Sequence, residues 1–300
     1  MTDSALLSPP PYTGRFAPSP TGPLHFGSLL AALASYLDAR AHDGRWLLRI
    51  ENLDPPREDP DAADSILRTL EHYGFCYDGP VRYQSERHDA YQAILQQLID
   101  QQQAFPCQCS RKQLNGHPHR GNCHCPAAKD IAWRFLSPAE GEFCFDDSLQ
   151  GRWCEAFADI GDFVLKRRDG PWSYQLAVIA DDIDQGVTHV VRGIDLIDSS
   201  ARQALLYQAL GQPLPHWTHI PVALEHNGQK LSKQNLARPL DNADASQTLY
   251  AALTWLRQQP PPTLQGAPAH ELLSWAVNHW QQAPLRGLQA LPAADAFCRS

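Results

Sequence analysis

No apolar run in the 300-residue sequence approaches the ~20 positions needed to cross a bilayer, so no membrane partner is expected. The segment Met1 to Tyr12 lacks both the basic patch and the long apolar stretch of a secretion signal. Residues 1–12 are therefore expected to form a flexible proline-rich tail on a cytoplasmic protein. Positive charge is also scarce: 25 Lys and Arg stand against 33 Asp and Glu, a net charge of −8, which argues against binding nucleic acid by overall attraction. A local basic face could still do so, built from Lys166, Arg167 and Arg168 or from Arg111, Lys112 and Arg120, although three adjacent charges by themselves describe only a solvated edge. There is no internal repeat. With 43% hydrophobic and 19% charged residues, the chain is composed like a folded protein with a substantial core.

Strand and helix patterns alternate at first. Thr13 to Ala17 and Trp46 to Ile50 are strand-like, and between them Leu29, Leu30, Leu33 and Leu37 recur at helical spacing. A second helix is expected from Asp59 and Pro60, with Ile66, Leu67, Leu70 and Tyr73 inward and Gly74 as its stop; a third is expected over Ser85 to Gln103. Phe105 to Gly170 is instead rich in Cys, His and Pro. Alternation resumes with Tyr174 to Ala180, in the place of a strand, then His189 to Arg192 and a helix from Asp198 to Leu210. This order implies an α/β fold with a parallel sheet. The expected divisions are a first catalytic half over 13–104, an insertion over 105–170, a second half over 171–238 and a small helical region over 239–300, where Leu272, Leu273, Trp275, Ala276 and Trp280 cluster.

Two motifs carry chemistry. In Arg15-Phe-Ala-Pro-Ser-Pro-Thr-Gly-Pro-Leu-His-Phe-Gly-Ser28, a stiff loop delivers His25 and Gly27 to a helix start, where unpaired N–H groups and the helix dipole favour phosphate. Gly27 would let a flat base approach the backbone, and His25 can donate to phosphate oxygens. In Lys230-Leu-Ser-Lys-Gln234, two amines three residues apart suit a clamp on a polyphosphate. Clustered cysteines suggest a metal: Cys107, Cys109, Cys123 and Cys125 fall within 19 residues, among His117, His119 and His124. Cys76, Cys144, Cys154 and Cys298 are scattered, and are expected as ordinary buried thiols, because a reducing compartment disfavours disulfides.

The pair His25-Phe-Gly-Ser28 and Lys230-Leu-Ser-Lys233 resembles the two signatures of class I aminoacyl-tRNA synthetases. The string Gly14 to Gly22, with Arg49-Ile-Glu-Asn-Leu-Asp54 and Val191-Arg-Gly-Ile-Asp195, is similar to the glutamyl/glutaminyl branch, which more often carries Asp where this chain has Asn52. The resemblance implies a Rossmann-type catalytic fold with an inserted zinc subdomain. It implies that Arg15, Tyr174 and Arg192 hold a glutamate side-chain carboxylate and Glu51 its ammonium group, with Phe16, Ala17, Pro18 and Ser19 around the amino acid. Arginine forks and a lone carboxylate have the right chemistry for these tasks. ATP would fall to Pro18, His25, Gly27, Ser28, Lys230, Ser232 and Lys233, with His25, Lys230 and Lys233 acting on the phosphates and Mg2+ accompanying the nucleotide. In that branch a Cys-x-Cys and a Tyr-x-x-x-Cys hold one structural zinc ion, which implies Cys107, Cys109, His119 in place of the tyrosine, and Cys123. Cys125, His117 and His124 compete for places in that set. Only 66 residues follow Gln234, too few for anticodon-reading domains, so the chain resembles the truncated branch, the glutamyl-Q tRNA(Asp) synthetases. That resemblance implies a monomer that activates L-glutamate without tRNA and attaches it to the queuosine base of tRNA(Asp). The alternatives are a truncated enzyme charging tRNA(Glu), a non-catalytic RNA-binding protein and a small-molecule nucleotidylyltransferase.

Overall fold

A computed structural model describes residues 11–121, 131–231 and 238–298. The chain starts with β1 (Thr13–Phe16), α1 (Phe26–Ala41) and β2 (Arg45–Ile50). Alanine and leucine dominate α1, both strong helix formers, and His25 caps it by accepting the Ser28 N–H at its Nδ1, at 3.3 Å. Next come α2 (Ala62–His72), β3 (Arg82–Tyr83) and α3 (His88–Asp100). Strands β1, β2 and β3 pair in parallel in that spatial order, with Arg15 opposite Leu47 and Arg49 opposite Arg82.

Two helix starts differ from expectation. Asp59 accepts the Asp61 N–H at 3.1 Å in a turn of its own, so α2 begins only at Ala62. The segment Gln84–Glu86 forms a single 3₁₀ turn, which delays α3 to His88.

The cysteine-rich region contains β4 (Ala104–Cys107), α4 (Arg111–Leu114), β5 (Ala132–Phe135), β6 (Glu142–Asp147), β7 (Gly151–Ala156), α5 (Phe157–Ile160) and β8 (Val164–Lys166). Strands β4, β5 and β8 form a small antiparallel sheet of their own. The β6–β7 hairpin goes elsewhere. Cys144 and Cys154 lie opposite each other in it, with Cα atoms 4.1 Å apart, and are joined in a disulfide rather than standing as separate buried thiols. The compartment argument carried no information on hairpin register, and register is what brings these two sulfurs together. Cys76 is exposed and Cys298 buried.

The second half runs through α6 (Tyr174–Asp184), β9 (His189–Gly193), α7 (Ile197–Ala209), β10 (His216–Ile220) and β11 (Val222–Leu224). Tyr174 to Ala180, expected in the place of a strand, is the start of α6. Ser173 caps it by accepting the Leu176 N–H, and Leu176 to Asp182 are all buried, so no exposed face interrupts the apolar run to mark a helical period. Strand β10 pairs in parallel with β9 and, through Trp217 and Asp147, with β6. The Thr188 N–H reaches the Thr13 carbonyl at 2.9 Å, so β1 runs beside β9 and the two strand sets make one layer. The C-terminal segment, α8 (Ala245–Trp255), α9 (Ala269–His279) and β12 (Ala290–Pro292), packs back on this layer. Strand β12 pairs with β11, Phe297 stacks on Phe26 with centroids 3.9 Å apart, and Trp280 donates to Asp38 at 2.8 Å. One core cluster centres on α1 with α2, α8 and α9, and a second lies among α3, α6 and α7.

Candidate active site

Strands β1 and β9 deliver their C-terminal ends to one cleft of about 480 Å³, closed on one side by the start of α1 and on the other by the chain from Ile220 to Leu231. Crevices at the carboxyl ends of parallel strands are where open α/β sheets bind ligands. Every predicted amino-acid and nucleotide residue that falls within the described residues lines this cleft: Arg15, Phe16, Ala17, Pro18, Ser19, His25, Gly27, Ser28, Glu51, Tyr174, Arg192 and Lys230. Ser232 and Lys233 lie outside the described residues.

At the arginine end the charges are buried and interlocked. Arg49 is fully buried and reaches Asp182 at 2.7 Å and Glu51 at 3.2 Å, while Arg15 meets the same Asp182 at 3.4 Å. Burial alone would favour the neutral acid at Asp182, but Arg15 and Arg49 outweigh it and hold the carboxyl below its usual range. Burial dominates at Glu51, where the carboxyl titrates above its ordinary value despite the pull of Arg49 and Arg15. Arg192 donates from Nε to His219 at 3.0 Å, from Nη1 to Gln203 at 2.9 Å and Tyr174 at 3.3 Å, and from Nη2 to Ser200 at 2.8 Å. Sequence reasoning missed Asp182, Arg49, His219 and Ser200 as parts of the site. For Asp182 a signal existed: Asp181 and Asp182 interrupt an apolar run that would otherwise read as pure core.

The other end combines the two motifs. A Cβ on Gly27 would come within 3.0 Å of the His25 ring and 3.2 Å of the Leu231 carbonyl, so the absent side chain is what lets the imidazole and the lysine segment close on each other. That segment is held by the Leu231 N–H to the Ala223 carbonyl at 2.8 Å, and farther along the chain Leu240 N–H reaches the Leu24 carbonyl at 2.9 Å. Lys230 pairs with Asp195, and Arg57, which pairs with Asp54, also lines the cleft. Asn52 pins a turn: its amide donates to the Ser85 hydroxyl at 2.8 Å and accepts the Ser85 N–H at 2.9 Å.

Of the predicted metal ligands, Cys107, Cys109 and His119 bring one donor atom each to within 4.8 Å of one another, whereas Cys123, with its competitors Cys125 and His124, lies outside the described residues. His117 is exposed and stands apart from the cluster. His119 points Nε2 at the Cys107 sulfur, 3.3 Å away, and Nδ1 at Asp162, 2.9 Å away. A carboxylate behind a histidine fixes the tautomer that presents Nε2 as a ligand. Two thiols and an imidazole in this arrangement fit zinc.

The catalytic-domain model of the class I tRNA synthetases for E and Q matches residues 12–132 and 124–256. A glutamyl-Q tRNA(Asp) synthetase of Ectopseudomonas mendocina is 52% identical over 274 residues, covering 90% of this chain and 93% of its own length. One of Pseudomonas aeruginosa is 48% identical, covering 94% of this chain and 97% of its own. Among solved structures, a glutamate tRNA ligase of Elizabethkingia meningosepticum in complex with its amino acid superposes with a TM-score of 0.79 at 25% identity, covering 95% of this chain and 67% of that one. A glutamate-tRNA synthetase of Elizabethkingia anophelis reaches 0.80 at 24% identity, a likeness of fold. The parallel sheet is thus a class I synthetase catalytic fold, and the chain belongs to the glutamyl-Q tRNA(Asp) synthetase family.

Proposed function

We propose that the protein is a ligase that activates L-glutamate with ATP and passes the glutamyl group to the queuosine base of tRNA(Asp). The observation that carries this reading is the single cleft with buried arginines at one end and the His25–Gly27 and Lys230–Leu231 segments at the other. Glutamate has a carboxylate at each end and an ammonium group near one of them. In this reading Arg15, Tyr174 and Arg192 take the side-chain carboxylate and Glu51 the ammonium, which leaves the α-carboxylate directed along the cleft toward the nucleotide. Phe16, Ala17, Pro18 and Ser19 supply the wall between the two substrates.

In the first step an α-carboxylate oxygen attacks the α-phosphorus of ATP in line, the bond to the bridging oxygen breaks, and pyrophosphate leaves. Positioning and charge stabilisation make up most of such a step. His25 donates to the phosphates from the start of α1, where the helix dipole favours the same anion and Gly27 leaves room beside the imidazole. Lys230 and Lys233, with Ser232 between them, take up charge on the departing pyrophosphate; Mg2+ bound with ATP would supply further counter-charge there. In the second step a queuosine hydroxyl attacks the mixed anhydride and AMP leaves. Cys107, Cys109, His119 and Cys123 would hold a structural zinc ion, which with four protein ligands would supply no catalytic chemistry. The reading places a monomer in the cytoplasm. Among the described residues no helix is long and apolar enough to cross a membrane.

Labelled glutamate offered with ATP to three RNAs tests the proposal: queuosine-containing tRNA(Asp), tRNA(Asp) with unmodified guanine, and tRNA(Glu). Label is expected on the first alone. Label on the 3′ end of tRNA(Glu) would instead identify a truncated enzyme of ordinary charging.

A further inference from the structure

Among the described residues, Arg192 is the one arginine lining the cleft whose guanidinium makes no ion pair with a carboxylate. Its Nε–H points at His219 Nε2, 3.0 Å away, so this nitrogen must accept, and the imidazole proton must sit on Nδ1. Nδ1 lies 2.6 Å from Asp147 Oδ2. The Asp147 carboxylate is itself fixed: Oδ1 accepts the N–H groups of Leu149 and Gln150, each at 2.9 Å, and both oxygens face the His219 N–H. All three side chains are buried, with 0% of the His219 residue in solvent. Asp147 ends β6 opposite Trp217 of β10, so the hairpin that leaves the cysteine-rich region places its last residue under the amino-acid end of the cleft.

We infer that Asp147 and His219 are positioning residues that set the orientation of the Arg192 guanidinium, and through it the grip on the glutamate side-chain carboxylate. The inference rests on the proposed glutamate-activating function. The chain of donors runs one way, Arg192 to His219 to Asp147, and works only with neutral imidazole. A proton on Nε2 would face the Arg192 Nε–H, donor against donor and charge against charge. Burial and the neighbouring Arg192 both disfavour the imidazolium, and together they outweigh Asp147, which favours it; Asp195 adds a weaker pull in the same sense as Asp147.

This polarity makes a conservative substitution informative. In Asp147→Asn the Leu149 and Gln150 N–H groups hold the amide oxygen at the Oδ1 position, within 3.3 Å of the His219 N–H as well, which leaves the amide NH₂ facing Nδ1. The imidazole then keeps its proton on Nε2 and presents it to Arg192, with shape and volume unchanged. Loss of a buried hydrogen bond to a charged group corresponds to a rise of roughly 10- to 100-fold in KM for glutamate, with KM for ATP at the wild-type value. His219→Gln returns an acceptor oxygen to Arg192 and His219→Leu removes it, so their KM values for glutamate are expected to fall in the order Gln below Leu.

The test is glutamate-dependent ATP–pyrophosphate exchange by the full chain without RNA, with thermal melting of each variant alongside. A selective rise in KM for glutamate in Asp147→Asn, and Gln below Leu at position 219, is the expected result. Equal shifts in both KM values, or a fall in melting temperature with unchanged KM, would make the pair a fold element only. Should Asp147→Asn fail to fold, equal KM values for Gln and Leu at position 219 would overturn the inference. Wild-type protein without exchange activity removes the functional reading itself, whereas wild-type exchange with an unshifted Asp147→Asn removes the positioning pair alone.

Discussion

At one end of the cleft Arg15, Arg49 and Arg192 are buried against Asp182, Glu51 and His219; at the other, Lys230 keeps 41% of its side chain in solvent beside Asp195. In the proposed function the difference follows from the task of each end. A small amino acid must be told from its near relatives, and a buried polar site whose groups are left unpaired by the wrong ligand discriminates strongly. A triphosphate needs charge brought to where charge develops, and an amine at the rim can supply that without a rigid buried frame. The arginine end is therefore expected to control which amino acid enters and how stable the fold is, and the lysine end to control rate.

Four substitutions or titrations separate the two ends. The largest effect belongs to Arg192→Ala, which strips a partner from a buried polar network: kcat/KM for glutamate in pyrophosphate exchange is expected to fall on the order of 10³-fold. An unchanged value would mean that Arg192 does not meet substrate. Next, Asp182→Asn leaves two buried guanidinium groups without their shared counter-charge and is expected to destabilise the fold by about 3–5 kcal/mol in urea titration. Because the folded carboxyl titrates below its unfolded value near ~3.9, this stability is present above that pH and is lost as pH falls through the lower, folded value. The variant should lose that acid-limb dependence.

Lys230→Ala at the solvent end is expected to lower kcat about 10- to 100-fold at saturating glutamate, less than a fully enclosed donor would. Its glutamate affinity and urea midpoint should stay at wild-type values; a shift in either would erase the division between the ends. The smallest effect is protonic. Burial holds the Glu51 carboxyl above its ordinary value, so the free site retains a proton to higher pH than a surface glutamate does. An arriving ammonium group stabilises the carboxylate, so binding should release protons, and affinity for glutamate should rise as pH climbs through the free-site value. Calorimetry in two buffers of different ionisation enthalpy reads the sign; proton uptake would contradict it.

The contrast also explains what the sequence made legible. Motifs built from consecutive residues could be read directly: the loop from Arg15 to Ser28 and the Lys230 segment carry their chemistry in local order, and both line the cleft. Partners supplied by distant elements could not. Asp182 lies in a helix whose all-round burial erased its period, and Asp147 comes to lie behind His219 only because the β6–β7 hairpin leaves the insertion to join β10. The Cys144–Cys154 bond depended on register in the same way. Arg49 and Asp195 stood inside quoted motifs, yet only the folded geometry gave them partners, Asp182 for the first and Lys230 for the second.

The account comes down to two motifs meeting over one substrate pair. Pyrophosphate exchange into ATP, measured without RNA and as a function of added amino acid, tests that most directly. Exchange that depends on L-glutamate, with glutamine and aspartate ineffective, is the expected result. Exchange that ignores the amino acid, or none until tRNA is added, would contradict it.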